Sequence, residues 1–189
     1  VHRYTDQYPT SRLDRIYQDV SLKGLNRGLV PVVFAGMPVN TPSDDYNAFY
    51  VFSHLFHHFL INGLGARHLC DWMFFLKSRA EYIDRKSLRT ILESLDMLEP
   101  WQAFGSVLVS HLGMPAEDFP FYDSSNQRKV SKIVRRLIDE GNFGKERAVY
   151  KKRGSIYLLN KTWAMFAHIF RSFGLLSLFP RHSFRQIWH

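Results

Sequence analysis

A single cysteine leaves this chain without any internal disulfide, so its stability has to come from an apolar core. Cys70 falls among the apolar positions of a helical pattern, where an ordinary buried thiol is expected, and a reducing, cytoplasmic setting fits. Long hydrophobic runs are missing as well. A spanning helix needs about eighteen uninterrupted apolar residues, and the best candidate, Trp163 to Phe179, is broken by His168 and Arg171. No signal peptide opens the chain, and a start at Val1 rather than methionine marks a processed chain or part of something larger. The chain has no HExxH, no adjacent His-Asp pair of the helical metal phosphohydrolases, no internal repeat and no low-complexity tract. What it does have is 189 residues, 46% of them apolar and 15% aromatic, enough for one good core.

The densest chemistry lies in the run Ser53 to Trp72, SHLFHHFLINGLGARHLCDW, which gathers histidines, an arginine and an aspartate around one tight turn. Polar groups inside an apolar stretch are costly to bury unless they pair with each other or with a ligand. From Asp45 to Leu60 apolar residues recur at helical spacing (Phe49, Phe52, Leu55, Phe56, Phe59, Leu60), Thr41-Pro42-Ser43-Asp44 is a helix-start signature, and Asn62-Gly63 is a stop. His54 and His58 stand four apart and face the same way, while His57 points to a neighbouring strip. After Gly63-Leu64-Gly65 a second helix begins, antiparallel to the first, with Arg67 and Asp71 four apart near its start. The imidazole pair is therefore expected to meet the arginine and carboxylate. Three readings of that meeting stay open: a buried polar network fixing the helix hairpin, a binding face for phosphate or another anion, or a metal site of His54, His58 and Asp71.

Negative charge is scarce at one end. Residues 128–189 hold fourteen Lys and Arg against three acids, whereas residues 1–127 hold eleven against fourteen, which together give the net +8. The cations concentrate in Arg128 to Arg136 and in Lys145 to Arg153, where Lys145, Arg147, Lys151, Lys152 and Arg153 are candidate contacts to an anionic ligand. The first group sits on a pattern (Val130, Ile133, Val134, Leu137) that predicts an amphipathic helix ending at Gly141 with its cations on the wet side. Gly141 to Ser155 does not match a P-loop and reads as a basic loop. His111 and His168 each stand alone in an apolar helix, where a core or boundary position is expected, and Trp163, Phe166, Phe170 and Phe173 recur at core spacing.

The expected fold is mainly α, a multi-helix bundle with a short N-terminal strand segment and a small β-hairpin. Residues 1–42 carry an extended opening to Pro9, a short helix near Ser11 to Val20, and a hairpin over Leu29 to Asn40. Residues 43–125 form the central helical core: beyond the histidine pair, Asp84 caps a helix to about Leu95, Pro100 opens another to Leu112 closed by Gly113, and a loop follows from Met114. Residues 126–189 form a basic helical region of the same domain, with a long helix from about Ile156 to Phe173 and a short one after Pro180.

The order Val1-His2-Arg3, a hairpin around Val32 to Val39, a helix with His54 and His58, then Arg67 and Asp71 before an apolar helix resembles the latter part of a bacterial nucleotidyltransferase family often found near polysaccharide gene clusters. The resemblance covers roughly residues 1–80. In that family a catalytic domain of the polymerase-β type precedes a helical region, and this opening would sit just past the strand bearing a Val-Glu-x-His motif. The resemblance implies a catalytic domain upstream of Val1, magnesium in the full-length enzyme, and a nucleotide as ligand. His54, His58, Arg67 and Asp71 are the positions that match the family's helical motif. The chain departs from the family's machinery: it has no Asp-x-Asp, and its Gly-Ser pairs at Gly105 and Gly154 precede no such carboxylates, so it is not expected to catalyse the transfer alone. A binding module whose basic region contacts nucleic acid or an anionic membrane surface is the alternative, with nucleic acid not favoured, and a His/Asp metal-dependent hydrolase comes third.

Overall fold

The structure, a computed structural model, describes residues 10–26, 28–61, 63–140, 174–175 and 177–182. The N-terminal extended segment, the basic loop from Gly141 to Ser155, and the helix expected near Ile156 to Phe173 lie outside the described residues. The chain is mainly α, with six α-helices and one two-stranded antiparallel hairpin among the described residues.

Helix α1 spans Ser11–Asn26, six residues further than the sequence pattern predicts. It continues through Gly24 because the Tyr46 ring lies against that position: a Cβ there would stand 2.4 Å from Tyr46 Cδ2. A glycine normally weakens a helix interior, but here it admits the ring of the next helix. Strands β1 (Leu29–Phe34) and β2 (Met37–Pro42) follow, joined by Ala35 and Gly36, both at positive φ (50° and 79°) as a two-residue type I′ turn requires. In such a hairpin the closing pair, Phe34 and Met37, exchanges hydrogen bonds, so the amides of the alternate pairs Val33–Pro38, Pro31–Asn40 and Leu29–Pro42 face outward. All three hairpin prolines stand at those outward positions. They spare the internal ladder and strip donors from the free edges.

Helices α2 (Asp44–Ile61) and α3 (Ala66–Arg79) form the antiparallel pair, and α4 (Arg85–Ser94), α5 (Leu98–Leu112) and α6 (Gln127–Glu140) complete the bundle. Asp84 caps α4 as its sequence predicts, its carboxylate accepting the amides of Lys86 and Ser87 at 2.9 and 3.1 Å. Pro100 lies in the first turn of α5, where its missing N–H costs nothing, and Gly113 closes the helix in the left-handed region at φ 72°.

The core is aromatic. Phe52 packs on Trp72 and edge-on against Trp101, with centroids 4.9 and 5.1 Å away, and Phe119 lies against both indoles. Trp101 Nε1 donates to the Pro120 carbonyl at 2.8 Å, which satisfies the one polar atom that ring carries inside. Leu175, Leu178 and Phe179 pack into this same core, and the His182 ring donates to the Asp96 carbonyl at 2.9 Å. Residues of the basic C-terminal third are thus part of the central core's own packing.

Helix α6 departs from expectation on its charges. Lys129 pairs with Glu99 and sits 5.0 Å over the Phe179 ring, and the Arg136 guanidinium lies 5.2 Å over Phe59. Two of the cations assigned to the wet side are instead folded against the aromatic core, because their long stems cover apolar surface while the charged heads find partners.

Candidate functional site

The aromatic stripe that buries α2 dictates what its other side presents. With Phe49, Phe52, Phe56 and Phe59 inside, the row Tyr50, His54, His58 at intervals of four runs along the outward side. The Tyr50 and His54 rings stack with centroids 6.4 Å apart, and the two histidines meet with Nε2 atoms 3.1 Å apart. One imidazole donates its Nε2–H to the other's lone pair, so at least one ring of the pair is neutral in this arrangement.

The imidazole that reaches toward α3 is His58. Its centroid lies 5.8 Å from that of His68, and 6.3 Å from that of His57 on the adjacent strip. His68 is held at the start of α3, its Nδ1 against the Gly65 carbonyl at 3.3 Å. Sequence spacing within α2 singled out His54 and His58 but did not bring in His68. The available signal was its place one turn into the helix that follows the tight connection, opposite the end of α2.

Arg67 and Asp71 pair with each other at 3.6 Å, with side chains 87% and 62% exposed. A buried network of these groups is therefore corrected: the pair rides on the outer surface of α3, where two long solvated side chains gain little from the contact. The cluster is a polar face on the surface. Among the described residues no group of three or more His, Cys, Asp or Glu is placed to hold a metal ion, so His54, His58 and Asp71 do not assemble into a three-donor set. Cys70 is half-buried rather than fully enclosed. His111 is exposed in the last turn of α5, and His168 lies outside the described residues.

The adjacent acids Asp44 and Asp45, read from sequence only as a helix start, have specific structural roles. Arg79 donates Nε and Nη2 to the two Asp44 oxygens at 2.9 and 2.8 Å and lies 4.4 Å over the Tyr82 ring. This pairing raises the arginine's pKa above its ordinary value. Ser87 donates its hydroxyl to Asp45. The first turn of α2 is tied in this way to the end of α3 and the start of α4, which fixes the angle at which the histidine row is offered. Nothing in sequence spacing reports a partner thirty-five or forty-two residues away.

Lys145, Arg147, Lys151, Lys152 and Arg153 lie outside the described residues. Among the described cations of α6, Arg135 pairs with Asp139 at 3.5 Å, while Arg128 and Lys132 are exposed. Among the described residues, no helix is long and apolar enough to cross a membrane. Compared with protein-family models, with curated proteins and with solved structures, the chain gives no match.

Proposed function

We infer that this chain is the helical cleft-lining part of a nucleotidyltransferase, which transfers a nucleoside monophosphate from a triphosphate to an acceptor and releases pyrophosphate. The reading starts from the motif order Val1 to Asp71. The observation that carries it furthest is the hairpin, which has no charged residue between Leu29 and Pro42 and leaves Val33, Phe34 and Met37 78%, 72% and 62% exposed. Leu22 and Leu25 of α1 are exposed as well. An isolated two-stranded hairpin is marginal in water, and an uncovered apolar surface of this kind marks a place where another domain packs. The outward prolines favour contact through side-chain faces over strand addition. A preceding catalytic domain is the neighbour this reading supplies.

Among the described residues no group of three or more His, Cys, Asp or Glu is placed to hold a metal ion. Asp44 is held by Arg79 and Asp45 by Ser87, and the reading assigns the magnesium-binding carboxylates to the preceding domain. This chain's contribution is recognition. Arg67 offers positive charge, and the imidazoles of the α2–α3 face offer N–H donors, to phosphate oxygens at an open surface. A cytoplasmic setting, where nucleoside triphosphates are available, goes with the reading.

The test uses the full-length enzyme and a panel of radiolabelled nucleoside triphosphates. Arg67→Ala is expected to weaken nucleotide binding about tenfold, a loss of about 1.4 kcal/mol. Phe34→Asp with Met37→Asp is expected to abolish transfer while shifting the helical domain's own stability by no more than about 0.5 kcal/mol, as exposed positions do. Unchanged binding and transfer in both variants overturns the reading. So does a reading frame upstream of Val1 that lacks a Gly-Ser turn followed by Asp-x-Asp. Steeply salt-dependent binding to generic polyanions with no response to nucleotide would establish the binding-module alternative instead.

A further inference from the structure

The two imidazoles on the outer stripe of α2 are spaced as metal ligands are. Nitrogen ligands sit about 2.0–2.1 Å from zinc, and two such nitrogens separated by the observed 3.1 Å enclose an angle of about 98° at the ion. That value falls between the right angle of an octahedral or square-planar site and the tetrahedral angle. The geometry is set by the backbone, since residues four apart on a helix share a face, and by the stack of His54 on Tyr50. The proximity that lets one ring donate to the other also leaves both Nε2 atoms within reach of a single ion that displaces the shared proton.

We propose that His54 and His58 form a bidentate imidazole chelate for a late first-row divalent cation, Zn²⁺, Ni²⁺ or Cu²⁺. Two neutral nitrogens suit these ions and not the hard cations magnesium and calcium, which take oxygen ligands. Among the described residues no group of three or more His, Cys, Asp or Glu is placed for a metal, so the described part of the chain supplies two positions. Open positions are what a metal needs to accept a water or an oxygen of a bound anion. The exposure of His54 makes the point of convergence reachable from solvent. Affinity follows the usual order for nitrogen sites, with Cu²⁺ bound more tightly than Ni²⁺ or Zn²⁺. The proposal shares His58 with the face that the transferase reading gives to phosphate, but its test is separable, because it involves neither magnesium nor catalytic carboxylates.

The experiment is calorimetric titration of the whole chain with the chloride salts of Cu²⁺, Ni²⁺, Zn²⁺ and Mg²⁺, joined to pulsed electron paramagnetic resonance of the Cu²⁺ form. Saturable one-to-one binding of the first three ions, none of Mg²⁺, and two coupled imidazole nitrogens are expected. His54→Ala and His58→Ala should each weaken the binding about tenfold or more, whereas His57→Ala on the neighbouring strip should leave it unchanged. His54→Gln, which keeps a polar side chain at this exposed position, guards against a folding defect and should behave as His54→Ala does. Binding that survives both alanine variants, placing the metal at other histidines, overturns the proposal. So does the absence of binding by all three ions at millimolar concentration.

Discussion

Gly105 sits in the middle of α5, where helix propensity by itself argues that alanine would be better by about 1 kcal/mol. The tertiary structure reverses that sign. A Cβ at Gly105 would stand 2.1, 2.3 and 2.6 Å from Cε1, Cζ and Cδ1 of Phe119, whereas carbon atoms in contact prefer about 3.5–4.0 Å. The ring would have to retreat by more than about 1 Å across its whole edge. Behind it stand Trp72 and Trp101, with centroids 5.5 and 5.6 Å away, so the retreat pushes on the centre of the core. Overpacking of this kind costs about 1–3 kcal/mol, and a walled ring belongs at the upper end. Removing the ring altogether, about 3–5 kcal/mol, sets the ceiling. After the propensity gain, Gly105→Ala is expected to lose about 2 kcal/mol, read as a lower urea midpoint at unchanged slope. In a Phe119→Leu background the same substitution should lose much less, and the difference is the coupling between the two positions. A rise in the midpoint for Gly105→Ala in the otherwise native chain would refute the reasoning, because it would mean that the Phe119 ring does not lie on the α5 backbone.

Two further outcomes follow from the buried and capping oxygens. The Tyr46 hydroxyl is enclosed without a hydrogen-bond partner in good geometry; burial raises its pKa, the nearby Ser21 hydroxyl lowers it in part, and Tyr50 adds to the rise. Because the fold favours the neutral phenol, the stability this group contributes is present below its ordinary value of 10.0 and is lost as pH rises beyond it. Tyr46→Phe should therefore flatten the alkaline limb of the stability curve and be neutral or stabilising by up to about 1 kcal/mol at pH 7, and a clear loss in chemical denaturation would show that the hydroxyl forms a bond after all. Asp123 has its pKa lowered, chiefly by the Ser125 backbone N–H and then by the Ser125 side chain, so its contribution is present above the ordinary carboxylate value and is lost as pH falls through the depressed one. Asp123→Asn should remove that part of the acid dependence in thermal melts taken from pH 6 down to pH 2, and an unchanged acid limb would count against the cap.

The elements were legible where local chemistry decides them. The periodicity of Phe49 to Leu60, the Asp84 cap, the Gly113 stop and the short connection between α2 and α3 are all settled by residues within a turn or two of each other. Their predicted boundaries fall close to those observed. The mainly α class followed from the same patterns. The extension of α1 through Gly24 was not legible, because its reason is a tyrosine ring twenty-two residues further on. Nor were the roles of Asp44 and Asp45, whose partners Arg79 and Ser87 come from other helices.

For the site the division is similar. Spacing alone set His54 and His58 on one stripe and Arg67 and Asp71 on another, since helical geometry requires it. Whether those stripes face inward or outward depends on which side of each helix meets the aromatic core, and only the packing of Phe52, Trp72 and Trp101 answers that. The tertiary structure turned Arg67 and Asp71 to solvent, added His68 to the imidazole row, and folded Lys129 and Arg136 of a basic run back onto phenylalanine rings. A charge or a histidine can be counted in a sequence, but its burial is a property of what packs beside it. The sequence by itself therefore determined the helices and the order of their polar residues, while the core they share decided which of those residues a ligand can reach.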